Sequence, residues 1–194
     1  MKKNTQRTVP SVEQLSRELN RIQYKNRYRT ILKSTLYTLI TVAAVAVLVA
    51  TLWLPVLQIY GNSMTPTLNN GEIVLSLKSD NFQNGDVLAF YYNNKILVKR
   101  VIAGPADWVD IDFDGTVYVN GTALDEPYVD EPAYGDTNII LPYQVPDGKV
   151  FVIGDHRSTS VDSRNTAVGC VVQEQVVGKI IFRIWPLNKI GSIQ

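Results

Sequence analysis

The sequence contains very little cysteine and histidine, which narrows the chemistry available to it. Its one cysteine, Cys170, excludes an intrachain disulfide framework and a cysteine-rich zinc site. Its one histidine, His156, excludes a histidine-rich metal site and provides a single candidate for a histidine-based catalytic triad. Lys and Arg total 19 against 18 Asp and Glu, and this near-neutral balance argues against nucleic acid as a partner. Because the sequence has neither a phosphate-binding loop nor a cluster of metal ligands, we predict no cofactor and no metal.

The charges are unevenly distributed along the 194 residues. Residues 1–33 hold nine Lys or Arg against two Glu, a net charge of +7, and the remainder of the chain carries −6. Between Ser34 and Gly71 there is no charged residue. Such an asymmetry between neighbouring segments predicts a membrane boundary or a basic arm.

The uncharged stretch contains a run long enough to cross a bilayer. Leu36 to Leu57 is almost continuously apolar, and about 20 such residues span a hydrocarbon core of roughly 30 Å. A buried core helix is the alternative, whereas a cleaved signal peptide has a shorter apolar region of about 7–15 residues. We therefore predict a basic leader over 1–33, a transmembrane helix over 34–58 and an extracytoplasmic domain over 59–194. The positive-inside rule places the leader in the cytoplasm.

The leader has a helical pattern of its own. Ser11 and Gln14 have the spacing of a capping box, and apolar residues recur on one helical face from Val12 to Ile22. This pattern favours a basic amphipathic helix that lies against anionic lipid headgroups.

After residue 60 the pattern changes from helical to strand-like. Short runs rich in Val, Ile, Tyr and Phe predict strands over 73–77, 86–92, 95–102, 116–119, 150–153 and 176–185. The stretch Asp125–Pro146 contains four prolines and is predicted to be an extended surface insertion. The predicted fold class is mainly β: an N-terminal transmembrane helix followed by an all-β domain with a β-rich insertion.

A serine and a lysine stand out as candidates for chemistry. Ser63 follows the apolar span by about six residues, so at ~3.3 Å per residue it stays within roughly 20 Å of the bilayer. Lys99 lies in an apolar strand, where alternation places it on one face with Leu97. A serine needs a base, and desolvation brings a lysine pKa down from about 10.4 towards neutrality. His156, in a polar loop, is the alternative base.

Four segments resemble, in order, the sequence boxes of bacterial type I signal peptidases. They are Ser63–Leu68 (SMTPTL), Gly85–Phe90 (GDVLAF), Lys99–Ile102 (KRVI) and Gly154–Arg164 (GDHRSTSVDSR). The N-terminal anchor and the Val177-Gly-Lys179 and Phe182–Pro186 segments are also similar to that family. The resemblance covers about residues 35–190.

The resemblance implies a role for each matching residue. Ser63 matches the nucleophile and Lys99 the general base of a Ser/Lys dyad. Ser160 matches the hydroxyl that orients the lysine amine, and Asp162 and Arg164 match an ion pair beneath the site.

The resemblance also implies where the substrate is recognised. The positions that match the lining of shallow pockets for small side chains are Ile59, Met64, Leu68, Leu97 and Val98. The Ser63 N–H would be one oxyanion donor. Gly61 stands where some members of the family have a serine whose hydroxyl also donates to the oxyanion. Because glycine has no such hydroxyl, no second donor is assigned.

Together these features predict a membrane-anchored serine endopeptidase that removes signal peptides from exported preproteins. Its partners would be preproteins that bear signal peptides, and the lipid bilayer. An inactive relative that assists surface-polymer assembly and an anchored binding domain are the alternatives. The presence of both Ser63 and Lys99 counts against the inactive relative, and a cleavage assay that compares the wild type with Ser63→Ala separates the enzyme from both alternatives.

Overall fold

The computed structural model describes residues 11–193. The chain forms two compact units, one up to Val49 and the other from Ala50 onwards. In the first, helix α1 covers Val12–Trp53, so its last residues belong to the second unit. The predicted capping box is present, because the Ser11 N–H donates to Gln14 Oε1 and the Gln14 N–H to Ser11 Oγ. The basic residues Lys2, Lys3 and Arg7 of the predicted leader lie outside the described residues.

Helix α1 runs without a break from the predicted leader into the predicted membrane span. Its most apolar part has a mean hydropathy of 1.9, and none of that part is buried within the described residues. By length and composition α1 can therefore cross a membrane. Its exposed apolar surface distinguishes it from the core helix considered as an alternative.

In the part of the second unit that the structure describes there are twelve strands. They are β1 (Val56–Gln58), β2 (Ile73–Leu77), β3 (Val87–Tyr92), β4 (Lys95–Ala103), β5 (Trp108–Ile111), β6 (Val117–Val119), β7 (Thr122–Ala123), β8 (Tyr143–Gln144), β9 (Lys149–Ile153), β10 (Val171–Val172), β11 (Val176–Trp185) and β12 (Gly191–Ser192). Short 3-10 helices lie at Gln173–Gln175 and Leu187–Lys189. The mainly β fold predicted from the sequence is confirmed.

The strands form two antiparallel sheets. The larger has the order β1-β2-β11-β3-β4-β9-β10, with β12 beside β11, and the smaller has the order β7-β6-β5-β8. The predicted hairpin at Asn93-Asn94 joins β3 to β4 with Tyr92 opposite Lys95. Asn93 has a φ of 52°, a left-handed conformation that asparagine tolerates in such a turn.

Two segments differ from the sequence-based prediction. Val56–Gln58 was placed at the end of the membrane span but forms β1, whose backbone pairs with Ile73–Leu75 of β2. The stretch Asp125–Pro146 is not entirely a surface segment. It contains β8, and half-buried Tyr134, Ile139 and Leu141 pack on the core beneath the smaller sheet. Both differences arise because short runs acquire their structure from strands distant in sequence.

Candidate active site

Ser63 lies in a turn that follows β1. The Thr65 N–H donates to the Asn62 carbonyl and the Leu68 N–H to the Met64 carbonyl, which closes the turn on itself. The side chains of Met64 (2% exposed) and Leu68 (fully buried) pack in the core. The burial of these two apolar side chains fixes the backbone of the turn. Ser63 itself is half-buried, so its hydroxyl remains accessible from solvent.

Lys99 lies in the middle of β4, where it is paired with Leu88 of β3. Its side chain is 2% exposed, and its Nζ lies 2.7 Å from Ser63 Oγ. The structure thus brings together two residues that are 36 positions apart in sequence.

Burial is the main influence on the Lys99 amine. The pKa of the amine is lowered from 10.5 to about 8, chiefly by desolvation, and the nearby Arg164 guanidinium acts in the same direction. The carboxylates of Asp162 and Asp155 oppose this by stabilising the protonated form. The net effect is an amine that releases its proton far more readily than a lysine in water.

The polar loop Gly154–Arg164 follows β9 and lies directly behind Ser63. The His156 N–H donates to the Ser63 carbonyl over 3.1 Å. A Cβ at Gly154 would lie 2.5 Å from that carbonyl oxygen and 2.2 Å from Ser160 Oγ. Only glycine therefore permits this close approach. Ser160 is 1% exposed, and its Oγ has no hydrogen-bond partner among the described residues.

Asp162 and Arg164 form a buried pair within the loop. The Arg164 Nε donates to Asp162 Oδ1 over 2.8 Å, and a second guanidinium nitrogen donates to Oδ2 over 2.9 Å. Asp162 Oδ2 also accepts the Gly154 N–H. Because neither side chain exceeds 1% exposure, the pair is shielded from solvent and fixes the loop from within.

A second buried ion pair was missed by the sequence analysis. Arg100, next to Lys99 but on the other face of β4, donates to both carboxylate oxygens of Asp155 over 2.9 and 2.8 Å. Asp155 also accepts a hydrogen bond from Thr67, in the turn that carries Ser63. The positions of Arg100 and Asp155 beside Lys99 and Gly154 were the available signal, but only the fold shows that they meet.

His156 is directed towards its own loop. Its Nδ1 lies 2.9 Å from Thr159 Oγ1 and 3.3 Å from Ser158 Oγ. Among the described residues, no hydrogen bond joins its ring to Ser63. The geometry therefore favours Lys99 over His156 as the base for Ser63.

An apolar groove of about 770 Å³ borders Ser63. Four of the five predicted pocket residues line it: Ile59, Met64, Leu97 and Val98. The fifth, Leu68, is fully buried in the core and does not line the groove, because it anchors the Ser63 turn. The groove is also lined by Val56–Gln58 and Ile96, which neither the sequence pattern nor the family resemblance indicates.

The Ser63 N–H lies beside the Ser63 hydroxyl and, in the part of the chain that the structure describes, is free of a protein acceptor. Gly61 contributes no side-chain donor, and its own N–H donates to Asn70 Oδ1. Within residues 11–193 no group of three or more His, Cys, Asp or Glu is arranged to hold a metal ion.

A hydroxyl in contact with a desolvated amine, beside an apolar groove on a β scaffold, is the arrangement of a serine peptidase. Residues 32–185 match the sequence model of the family described as signal peptidase, peptidase S26, and the chain belongs to this family. It is thus a serine peptidase of the kind that cleaves signal peptides from preproteins.

Two relatives agree in sequence with the family match. The chain is 40% identical to signal peptidase IB of Staphylococcus aureus over 68% of this chain and 78% of that one. It is 34% identical to the chloroplastic thylakoidal processing peptidase 1 of Arabidopsis thaliana, over 70% of this chain and 43% of that one. The crystal structure of a signal peptidase I from Enterococcus faecalis V583 is 32% identical. It matches with a TM-score of 0.44 over 51% of this chain and 96% of that one.

Proposed function

We propose that this chain is a membrane-anchored endopeptidase that removes signal peptides with a catalytic dyad of Ser63 and Lys99. The observation that carries the proposal is the 2.7 Å contact between Ser63 Oγ and the Nζ of a lysine that is 2% exposed. An amine with a pKa of about 8 exists partly as the free base near neutral pH. It can therefore accept the proton that a serine must lose to become a nucleophile.

The mechanism follows from these two groups. The neutral Lys99 amine takes the Ser63 proton as Oγ attacks the scissile carbonyl carbon, and the Ser63 N–H donates to the oxyanion. The Lys99 ammonium then protonates the departing amine, which releases the mature protein and leaves the signal peptide esterified to Ser63. Lys99 next deprotonates a water that attacks the ester, which frees the signal peptide and restores the Ser63 hydroxyl.

The edges of the groove fit an extended peptide. Among the described residues β1 pairs only with β2, and Lys95–Val98 of β4 pair only with β3. Both segments therefore present unpaired backbone groups to the groove between them. An extended substrate can bind there as an added strand, with alternate side chains directed into the apolar lining.

The sequence supports an anchored enzyme with an extracytoplasmic active site. We propose that residues 1–33 are the cytoplasmic leader, that the membrane span lies within residues 34–58, and that 59–194 form the peptidase domain. The +7 charge of the leader and the exposed apolar surface of α1 support this orientation. The substrate's apolar segment would then lie in the same bilayer as α1.

The decisive experiment compares cleavage of a preprotein in detergent by the full chain and by Ser63→Ala and Lys99→Arg. We expect both variants to lose activity, because alanine removes the nucleophile and arginine keeps its proton at any accessible pH. If Lys99→Arg kept a turnover close to that of the wild type, Lys99 could not be the general base.

The matched control is His156→Asn, which tests the other candidate base. Its activity should stay within about tenfold of wild type, since losing a general base costs roughly 10²–10⁴. A loss of several orders of magnitude in a folded His156→Asn protein would contradict the Ser63 and Lys99 assignment.

A further inference from the structure

One part of the insertion contacts the active-site loop through a buried carboxylate. Glu126 lies in the segment between β7 and β8 and accepts two hydrogen bonds from Arg157, over 2.9 and 2.5 Å. The side chain of Arg157 is 1% exposed and that of Glu126 is 11% exposed. Because two-point contacts between Arg and a carboxylate fix both distance and angle, this pair fastens the insertion to the loop.

Tyr128 extends the same contact to the strand that carries Lys99. Its hydroxyl donates to Glu126 Oε1 over 2.9 Å, and its ring lies under the Arg100 guanidinium, 3.9 Å from Cζ to the ring centroid. Arg100 in turn holds Asp155, and Asp155 accepts the Thr67 hydroxyl. A continuous set of contacts thus connects Glu126 to the turn that carries Ser63.

The insertion also holds the loop at a second place. Arg164 donates to the carbonyls of Ala133 and Tyr134 over 3.2 and 3.0 Å, and to the carbonyl of Arg157 over 2.9 Å. A Cβ at Gly135 would lie 2.5 Å from the Arg157 carbonyl oxygen, so the two backbones meet closely there. The loop behind Ser63 is therefore secured by the insertion at both Arg157 and Arg164.

We propose that Glu126, supported by Tyr128, is a positioning residue for signal-peptide cleavage that acts through Arg157 and Arg100. It does not touch Ser63 or Lys99. Glu126 fixes the position of the Gly154–Arg164 loop. In that loop the His156 N–H donates to the Ser63 carbonyl, and Asp162 and Arg164 are close enough to influence the Lys99 amine. This inference rests on the proposed function of the site.

The test is Glu126→Gln in the full chain, assayed for cleavage of one preprotein in detergent across pH 6–10. Glutamine keeps the shape of the side chain and removes its charge, so the two-point contact with Arg157 weakens. We expect kcat to fall about tenfold or more, with KM within about twofold. Glu131→Gln is the matched control, because Glu131 is exposed in the same segment and has no hydrogen-bond or ion-pair partner in the described residues.

A pH profile separates positioning from a merely structural role. If the loop moves away from Lys99, water reaches the amine and its pKa rises, so the acid limb of the profile shifts to higher pH. Partial unfolding alone would lower the amount of active enzyme and leave the limb in place. Glu126→Gln should lower kcat by a smaller factor in an Arg157→Gln background than in the wild type, and the effect that remains is the part that acts through Tyr128 and Arg100. An equal factor in both backgrounds would contradict the route through Arg157.

The outcomes separate this inference from the proposed function. Absence of cleavage by the wild type would overturn both. If the wild type cleaves and folded Glu126→Gln cleaves within twofold of it, the positioning role alone is overturned. Should Glu126→Gln fail to fold, Tyr128→Phe removes only the hydroxyl that Glu126 accepts. We expect it to lower kcat about threefold with an unchanged KM, and wild-type kcat in that variant would refute the role.

Discussion

At the residue scale, the chemistry depends on how completely Lys99 is withdrawn from water. Strand β4 places its amine inside the fold, where desolvation outweighs the attraction of Asp162 and Asp155 for the protonated form. The hydroxyl of Ser63 meets the amine at the boundary between core and groove. The buried Lys99 side chain therefore places its amine, the proposed base, beside a hydroxyl that a substrate can still reach.

The first prediction concerns the pH dependence of cleavage. In the proposed mechanism the neutral Lys99 amine is the active form, and its pKa is about 8. The value of kcat/KM should therefore rise with unit slope as pH increases and level off above about 8. At pH 7 roughly a tenth of the enzyme would hold the free base. The measurement is a pH profile with a preprotein substrate. A profile with no limb near pH 8 would contradict Lys99 as the base.

The second prediction concerns the stability cost of that burial. The folded pKa of about 8 lies below the unfolded value of 10.5, so between these pH values the unfolded chain binds more protons and stability rises with pH. Below pH 8 the cost is fully present, on the order of 3 kcal/mol. Lys99→Met, which lacks the charge, should therefore raise Tm at pH 7 by about 6–12 °C.

Thermal unfolding of the two proteins from pH 7 to 10.5 checks this expectation. The difference in Tm should shrink as the pH passes from 8 towards 10.5. Lys95→Met, at an exposed position of the same strand, is the control and should show no such gain. A Lys99→Met protein less stable than wild type at pH 7 would contradict the account.

At the scale of elements, the site is a turn and a loop held against one strand. The Ser63 turn is anchored by Met64 and Leu68, and the Gly154–Arg164 loop is tied by its internal ion pair. Neither element is a regular helix or strand, so each depends on side-chain contacts to keep its place. Their exact placement decides whether Ser63 and Lys99 meet.

The third prediction tests the loop. Asp162→Asn removes the charge that compensates Arg164, and a buried charge without its partner destabilises a protein by about 3–5 kcal/mol. We expect Tm to fall by roughly 10 °C in thermal unfolding. The acid limb of activity should also move to lower pH, because the Asp162 carboxylate raises the Lys99 pKa. Asp147→Asn, at an exposed position, should change neither quantity.

The fourth prediction concerns the apolar groove. A small residue such as Ala, Gly or Ser immediately before the scissile bond fits a lining of Met64, Leu97 and Val98. Leu at that position would clash and Asp would be buried without a partner, and each ~1.4 kcal/mol of lost transition-state binding lowers the rate tenfold. We expect at least about a hundredfold slower processing for both.

A scan of that single substrate position with the purified enzyme checks the expectation. Equal rates for Ala, Leu and Asp would mean that the groove does not select the residue before the cleavage site.

At the scale of the whole molecule, a basic helical segment precedes an apolar one, and a mainly β domain follows. The fifth prediction is that the N-terminus is cytoplasmic and the β domain extracytoplasmic. Protease added outside spheroplasts should digest the region after residue 60 and spare the leader. Protection of the β domain in intact spheroplasts, with digestion after lysis, would contradict this orientation.

The sequence by itself was sufficient for the features that depend on local pattern. The long apolar run predicts a helix able to cross a membrane, and alternation within β4 predicts that Lys99 shares a face with apolar neighbours. Turn residues at Asn93-Asn94 predict the β3–β4 hairpin, which the structure confirms. The pairing of Ser63 with Lys99 as a dyad is a prediction from the family resemblance, because no local pattern joins residues that are 36 positions apart.

Only the tertiary structure decided which distant groups meet. It placed Arg100 on Asp155 and Glu126 on Arg157, recruited Val56–Gln58 into the sheet, and left Leu68 in the core instead of the groove. Periodicity reports which face of an element is apolar, but it carries no information about which partner that face will find. Arg100 and Asp155 are 55 residues apart in sequence, and Leu68 shares its core cluster with Ile180 and Ile193, so only the folded chain brings these groups together.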